Sequence, residues 1–261
     1  MLVRTWNLFH GNTVPPGRTA YLEEMVRLAA ADRPDVLLLQ ELPLWALPEV
    51  SGWAGMTAFP EVASRAPLGA SLGGTLTALN PGLLRSAVSG QGNAILLDRS
   101  LEPFDYHALV LNPRRVRRDA ARKLSLAAVA RLAWAKERRV SQTIRAEAPD
   151  GRKVVITNLH ATSYPPDRRV ADVELRRAAE FVAALARPGE IEVIGGDFNV
   201  LPGSVVIAGL REQGFSSPGA GVDHVLVRGA ASSAPERWPD ERRRLDGMLV
   251  SDHAPLEVRV A

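Results

Sequence analysis

Apolar residues along the chain fall mostly into short runs, each breaking off abruptly at an amide, carboxylate or imidazole side chain. Val36-Leu37-Leu38-Leu39 runs straight into Gln40-Glu41. A run of that length, too short for a helix and followed by polar residues, predicts a buried strand over 35–40 that delivers a carboxylate to its end. Similar runs predict strands over 2–7, 94–97, 141–146, 153–159, 192–194, 222–227 and 256–260. Helical spacing appears at Leu22, Val26 and Ala29, predicting a helix over 20–31 that Asp32-Arg33-Pro34 terminates. A second helix is expected over 170–186, and Pro15-Pro16-Gly17 marks a turn-rich loop. Many strands and few helices argue for packed sheets covered by helices. The Gly/Ser-rich stretch 69–92 and the segment 216–221 read as loops, neither long enough for an interdomain linker, and no internal repeat is visible.

Composition narrows this picture. A chain of 261 residues, 46% of them hydrophobic, can bury one sizeable core, so a single domain over 1–261 is expected. Cysteine is absent, which excludes disulfides, thiolate metal sites and a catalytic thiol, so a metal would need oxygen or imidazole ligands. Residues 1–9 hold Arg4 as their one basic side chain and no signal-type apolar stretch, and no later run reaches the roughly 18 apolar residues of a membrane span. A cytoplasmic protein with no stable membrane insertion is therefore expected.

The formal charge of +3 is mild, but it is unevenly spread: residues 114–145 hold eleven Lys/Arg against Asp119 and Glu137. A charge run is most simply a solvated helix face, here with Leu124, Leu126, Val129, Leu132 and Trp134 packing beneath it. Arg114, Arg115, Arg117, Arg118, Arg122 and Lys123 could instead contact nucleic-acid or lipid phosphates.

Candidate chemistry lies at the strand ends: Asn7, Glu41, His160, Asp197 with Asn199, Asp223, and Asp252 with His253. Each alone is a common turn, cap or structural residue. Together they supply the oxygen-rich mix that hard divalent cations prefer, plus imidazoles. Phosphodiester hydrolysis asks for an activated water, a donor for the leaving oxygen, and positive charge on the transition state. No Ser sits in a G-x-S-x-G elbow, so direct attack by water is the simpler mechanism.

The local strings Thr5-Trp6-Asn7, Leu39-Gln40-Glu41, Gly92-Asn93-Ala94-Ile95-Leu96, Asn158-Leu159-His160, Gly196-Asp197-Phe198-Asn199, Val222-Asp223-His224-Val225-Leu226 and Ser251-Asp252-His253-Ala254-Pro255 stand in this order along the chain. In that order they resemble the endonuclease/exonuclease/phosphatase superfamily, across nearly the whole sequence. The resemblance implies a deoxyribonuclease-I-like fold: a four-layer α/β/β/α sandwich of two packed, mostly antiparallel sheets flanked by helices, with the site at one end.

By the same resemblance, Mg2+ or Mn2+ is the cofactor, with Asn7, Glu41 and Asp252 on the metal side and Glu41 the main ligand. Asp197 and Asn199 would position the attacking water and the phosphate. His253 would act as general base or phosphate contact, oriented by Asp223, and His160 would contact the phosphate and assist the leaving group. Asn93 and Arg138 would bind the substrate phosphate, Arg139 being adjacent to the latter. The branch that resembles deoxyribonuclease I carries an acid where this chain has Asn93, and an amide cannot stabilise an imidazolium as a carboxylate would. His160 in place of a Tyr departs from the abasic-site endonuclease branch.

Alternation on a strand places His224 on the face opposite Asp223, as a structural residue. The expected substrate is a phosphodiester, with nucleic acid the first candidate and a lipid or small-molecule phosphoester the alternative; an inactive binding scaffold is a further reading. A lipid enzyme would want an exposed apolar wedge, for which Trp45, Trp53 and Phe59 are candidates, although burial is the expectation for them.

Overall fold

The computed structural model describes residues 1–64, 90–163 and 167–261. Most of the loop expected over 69–92 lies outside the described residues, but Gln91 and Gly92 prove to be the first two residues of a strand. Two sheets face each other. The first has strand order β11-β14-β1-β3-β5-β4, with β1 Leu2–Asn7, β3 Val36–Pro43, β4 Thr57–Ser64, β5 Gln91–Leu97, β11 Glu236–Arg237 and β14 Leu256–Arg259. The second has the order β10-β9-β8-β7-β6, with β6 Glu102–Val110, β7 Val140–Glu147, β8 Lys153–His160, β9 Ile191–Asp197 and β10 Asp223–Arg228. A small third sheet joins β2 Thr13–Val14, β12 Arg244–Leu245 and β13 Met248–Val250.

Each large sheet is built around one parallel pair, β1 with β3 and β8 with β9, and is otherwise antiparallel. The crossover helices are α1 Leu22–Ala30 and α5 Arg169–Leu185. They cover the two outer faces, because a parallel connection has to leave the sheet and return. Leu22, Met25 and Val26 of α1 pack on Leu37, Leu39 and Leu96, with α2 Val50–Ala54 alongside. Leu175, Ala178 and Val182 of α5 pack on Val155, Leu159 and Ile194, joined by α6 Val205–Glu212. The result is the expected four-layer sandwich. The helices α3 Arg114–Lys123 and α4 Ala128–Lys136 form a hairpin between β6 and β7.

The interface between the sheets explains the short apolar runs. With a period of two, one set of positions on each strand faces the opposite sheet. On β1 this set is Val3-Thr5-Asn7, on β3 Val36-Leu38-Gln40, on β8 Val154-Ile156-Asn158-His160 and on β9 Ile191-Val193-Gly195-Asp197. On the antiparallel strands it is Leu97-Ile95-Asn93 and Val227-Val225-Asp223. The apolar members form one buried core. The polar members all emerge at the same end. Gly195 stands where a Cβ would meet Leu38 Cδ1 at 2.5 Å, so the two sheets approach each other only over a glycine there.

Several expectations shift in detail. Helices α2 and α6 and strands β4 and β6 were not predicted, because their apolar positions are irregular, while the basic segment expected as a solvated helix face is helical but divides into α3 and α4. Leu126 and Trp134 are buried beneath the basic segment as expected, but Val129 and Leu132 are exposed. Trp45, Trp53 and Phe59 are half-buried; the two tryptophans meet edge-on at 6.1 Å against the outer core, and none forms a projecting wedge.

Candidate active site

Strand register assembles the site. Asp197 lies between two cross-strand partners, His160 on β8 and Asp223 on β10, and Asn7 pairs with Gln40 across β1 and β3. Glu41 reaches this cluster by a different device. On simple alternation it would follow Leu37 and Leu39 to the outer face. Instead the β3–β5 pairing steps from Leu39↔Ala94 to Leu42↔Gly92, leaving Gln40 and Glu41 opposite Asn93 alone, and Glu41 takes φ +55°. This bulge turns the carboxylate inward and returns Leu42 to the outer core.

At the centre, Asn7 Nδ2 donates to Glu41 Oε1 at 3.2 Å and to Asp197 Oδ2 at 3.0 Å, while its Oδ1 accepts from the Phe9 amide at 3.0 Å. One buried amide therefore holds two carboxylates together. Asp197 is buried and its carboxyl is pushed up, first by that burial and then by Asp223 and Glu41, with His253 acting in the opposite sense. The Asn199 amide donates to Asp197 Oδ1 at 3.1 Å, and the Asn199 side chain donates to Ala161 O.

His253 Nδ1 lies 2.9 Å from both oxygens of Asp223, and its Nε2 is 3.8 Å from Asp197 Oδ2. Burial opposes charge on this ring, but the Asp223 hydrogen bond and the Asp197 and Asp223 carboxylates outweigh it, holding His253 up at about 10. His160 behaves oppositely. It is buried with the Arg139 guanidinium at 3.2 Å from Nδ1, and burial, then Arg139, then His253 and His10 drive it well below its ordinary value. His160 Nε2 lies 3.5 Å from Asp197 and 3.8 Å from Glu41. Asp197, Asp223 and His253 offer ligand atoms all within 4.8 Å of one another.

Two expected residues stand apart. Asp252 is exposed on the loop that carries His253, acting on that ring through its charge. Arg138 is exposed and donates to Val62 O on β4, with Glu61 at 3.8 Å, while the neighbouring Arg139 turns inward to His160. Adjacent side chains in extended backbone point to opposite sides, so only one of the pair can face the cluster. Asn93 does sit at the floor, buried, with Nδ2 lacking a hydrogen-bond partner among the described residues. His224 is buried on the opposite face, bonded through Nε2 to Val200 O at 2.7 Å and packed on Phe198, as alternation required.

Other contributors carried no strong sequence signal. His10, in a 3-10 turn after β1 at φ +55°, places Nε2 3.4 Å from Glu41 Oε2. Ser251, at φ +60°, donates to Asn7 O at 2.7 Å and accepts from the His253 amide. Trp6 Nε1 and Arg243 both donate to His253 O. Beneath the site, Gln40 donates to Asn158 Oδ1 at 2.7 Å, and Asn158 donates to Leu39 O and Ala94 O at 3.0 Å, tying the sheets together. Backbone at positive φ recurs around the site, at His10, Glu41, Asn199 and Ser251, as strained positions commonly do where side chains have to be aimed.

Comparison with known proteins agrees with this architecture. The model of the endonuclease/exonuclease/phosphatase family matches residues 5–254. No curated protein matches the chain. Among solved structures, a functionally unknown conserved protein from Enterococcus faecalis superposes with a TM-score of 0.68 at 15% identity, covering 100% of this chain and 99% of the other. A mannosyl-6-phosphatase from Bacteroides thetaiotaomicron gives 0.66 at 14% identity, with 100% and 99% covered. The human Nocturnin catalytic domain, solved with a bound sulfate anion, gives 0.62 at 15% identity, with 100% and 93% covered.

Proposed function

The chain belongs to the endonuclease/exonuclease/phosphatase family, whose members hydrolyse phosphate esters, and on that premise we propose that it is a divalent-metal-dependent phosphodiesterase acting on polynucleotides. The observation that carries the reading is the Asp223–His253 pair set against Asp197, which Asn7 ties to Glu41.

The donor set suits a hard divalent cation such as Mg2+ or Mn2+. Glu41, Asp197 and Asp223 crowd a buried space, and burial with like-charged neighbours pushes Asp197 upward, a cost that a bound cation would remove. Glu41 and Asp197 would hold the ion, with Asp252 acting through its charge on the His253 ring. Asn7 would act chiefly by orienting the first two carboxylates, since its amide nitrogen already faces both. Such an ion, when bound, polarises a phosphoryl oxygen.

The chain's own residues account for the rest. His253, charged and fixed by Asp223, donates from Nε2 to a phosphate oxygen. Asp197, its Oδ1 held by the Asn199 backbone amide, orients the attacking water and accepts its proton. His160 is held neutral, so it contacts the phosphate without supplying charge. Arg139, with a guanidinium nitrogen 3.2 Å from Nδ1 and 3.3 Å from Nε2 of that ring, supplies the charge, in the role expected of Arg138. Asn93 Nδ2 adds a donor at the floor.

The test is hydrolysis of bis(p-nitrophenyl) phosphate and plasmid DNA with Mg2+, Mn2+ or EDTA, beside His253→Ala. Metal-dependent cleavage of both, abolished in the variant, supports the proposal. Cleavage of neither by the folded, metal-binding protein would turn the assignment toward a lipid or phosphomonoester substrate.

A further inference from the structure

The α3–α4 hairpin carries charge that the catalytic cluster does not use. Residues 114–136 contain eight Lys/Arg and a single acid, Asp119, a net charge of +7 in a chain whose formal total is +3, so the remaining residues carry −4. Between the two helices lies a cleft of about 670 Å³, with Arg114, Arg117, Arg118, Arg122 and Arg131 on its walls and Leu126 in its lining. Arg114, Arg118 and Arg122 recur at four-residue intervals and so share one stripe of α3. Among the described residues, Asp119 is the one carboxylate paired with the arginines of this cleft, at 2.8 Å from Arg122 and 3.5 Å from Arg118.

This arrangement works against the helix that bears it. Arg114 and Arg115 occupy the first turn of α3, which contains no acid, where the helix dipole disfavours positive charge. Like charges four residues apart add repulsion. A bound polyanion would relieve both.

Topology places the cleft at the catalytic end. The hairpin leaves the sheet after Val110 and returns at Val140, which pair with each other, and the next register position joins Ser141 to Leu159, beside His160. Lys136, the last residue of α4, is three residues from Arg139, at most about 11 Å of extended chain. Trp134, buried under the cleft, donates to Glu174 Oε1 at 2.6 Å, and Glu174 in turn accepts from the Thr162 amide, two residues beyond His160. The cleft and the site are thus braced on one another.

We propose that the Arg114–Arg131 cleft is a binding site for the phosphodiester backbone of a nucleic-acid strand, holding it outside the catalytic cluster while a neighbouring phosphate occupies that cluster. The substrate class rests on the phosphodiesterase reading above, but the binding is a property of the cleft alone. A concave wall of arginines fits a strand that presents successive phosphates, whereas a lipid surface would call for a broader apolar face than the exposed Val129 and Leu132 supply.

The experiment measures fluorescence anisotropy of a labelled single-stranded oligonucleotide in EDTA, where turnover does not interfere, over a series of salt concentrations. It compares the wild-type protein with the triple variant Arg114→Gln/Arg118→Gln/Arg122→Gln. The side chains are exposed, so the fold should survive, as circular dichroism would verify. The variant should bind at least tenfold more weakly, with the salt slope reduced by about two. Its hydrolysis of bis(p-nitrophenyl) phosphate should match wild type, while cleavage of polynucleotide falls with the binding. Equal affinity and slope in the two proteins would overturn the proposal, as would absence of oligonucleotide binding by wild type at low salt. Binding to phosphatidylserine vesicles in preference to the oligonucleotide would overturn it in favour of a lipid surface. If binding is lost in the variant but wild type cleaves neither substrate, the cleft stands and the catalytic reading falls.

Discussion

Both carboxylate oxygens of Asp223 lie 2.9 Å from Nδ1 of His253, so the ring is gripped at one nitrogen and its other nitrogen is aimed at Asp197. The pair fixes orientation and charge together. His253 is held up at about 10, so it should stay protonated well past neutral pH in the metal-free protein and lose its proton only as pH rises through that value. In Asp223→Asn the largest stabiliser of the cation is gone, and burial should bring the titration down toward or below the ordinary histidine range. NMR titration of the His253 ring in the two EDTA-treated proteins reads this directly; coincident titration curves would refute the pairing as the source of the charge.

Glu41 owes its position to a bulge, which makes it separable from the fold. Glu41→Gln keeps the shape of the side chain and its contact with Asn7 while removing the charge that would hold a cation. Turnover of a phosphodiester should fall by about a thousandfold or more, with thermal stability close to wild type. Metal affinity, followed by calorimetry, should weaken in parallel. Full activity in the purified variant would remove Glu41 from the metal site.

The strand ends were readable because a buried strand announces itself by a run such as Val36–Leu39, and the polar residue that breaks the run is the one left at the sheet edge. Asn7, His160, Asp197 and Asp223 follow from that pattern alone. The bulge at Gln40-Glu41 left no trace in it, since a polar pair between Leu39 and Leu42 reads as the end of a strand whether or not it holds an extra residue. Arg139 was indistinguishable from Arg138, because the choice depends on where β7 begins, and strand ends are poorly marked in sequence. His10 and Ser251 act through turns with positive φ at non-glycine positions, which are too uncommon to be expected at any one residue from sequence. The basic segment was legible as a solvated helix face, but the break between α3 and α4 was not, because the arginines of α3 carry helix propensity without an apolar stripe to mark where the helix ends.

Gly195 and Gly196 precede Asp197 for different reasons, and substitution should separate them. A Cβ on Gly196 would lie 2.0 Å from Leu159 O at φ +137°, a clash with backbone that no rotamer change relieves. A Cβ on Gly195 would lie 2.5 Å from Leu38 Cδ1, the end of a side chain that can move at some cost to the core. Gly196→Ala should therefore fail to yield folded protein, or lose more than about 4 kcal/mol. Gly195→Ala should fold with a loss of about 1–3 kcal/mol, measured by urea denaturation. Equal stability of the two variants would contradict this division.

The other end of β1 is anchored by charge, and this sets an acid limit on stability. Arg4 is buried, bonded to Asp32 at 2.6 Å, to Glu257 at 2.5 Å and to Ala29 O at 2.6 Å, with its guanidinium 4.5 Å from the centre of the Trp238 ring. Arg4 holds Asp32 down to about 2, and the Trp238 and Arg4 hydrogen bonds outweigh burial to lower Glu257 as well. Carboxylates whose folded values lie below their unfolded ones stabilise the protein above the unfolded value, and that contribution is lost as pH falls through the folded one. Stability should thus decline between about pH 4 and pH 2. In Arg4→Met, Glu257 is left half-compensated by Trp238 and Arg242, so the protein should be weaker at pH 7 by about 3–5 kcal/mol, while its decline through the acid range flattens. Guanidinium unfolding curves at successive pH values measure both effects. An acid slope as steep in the variant as in wild type would place the acid sensitivity elsewhere.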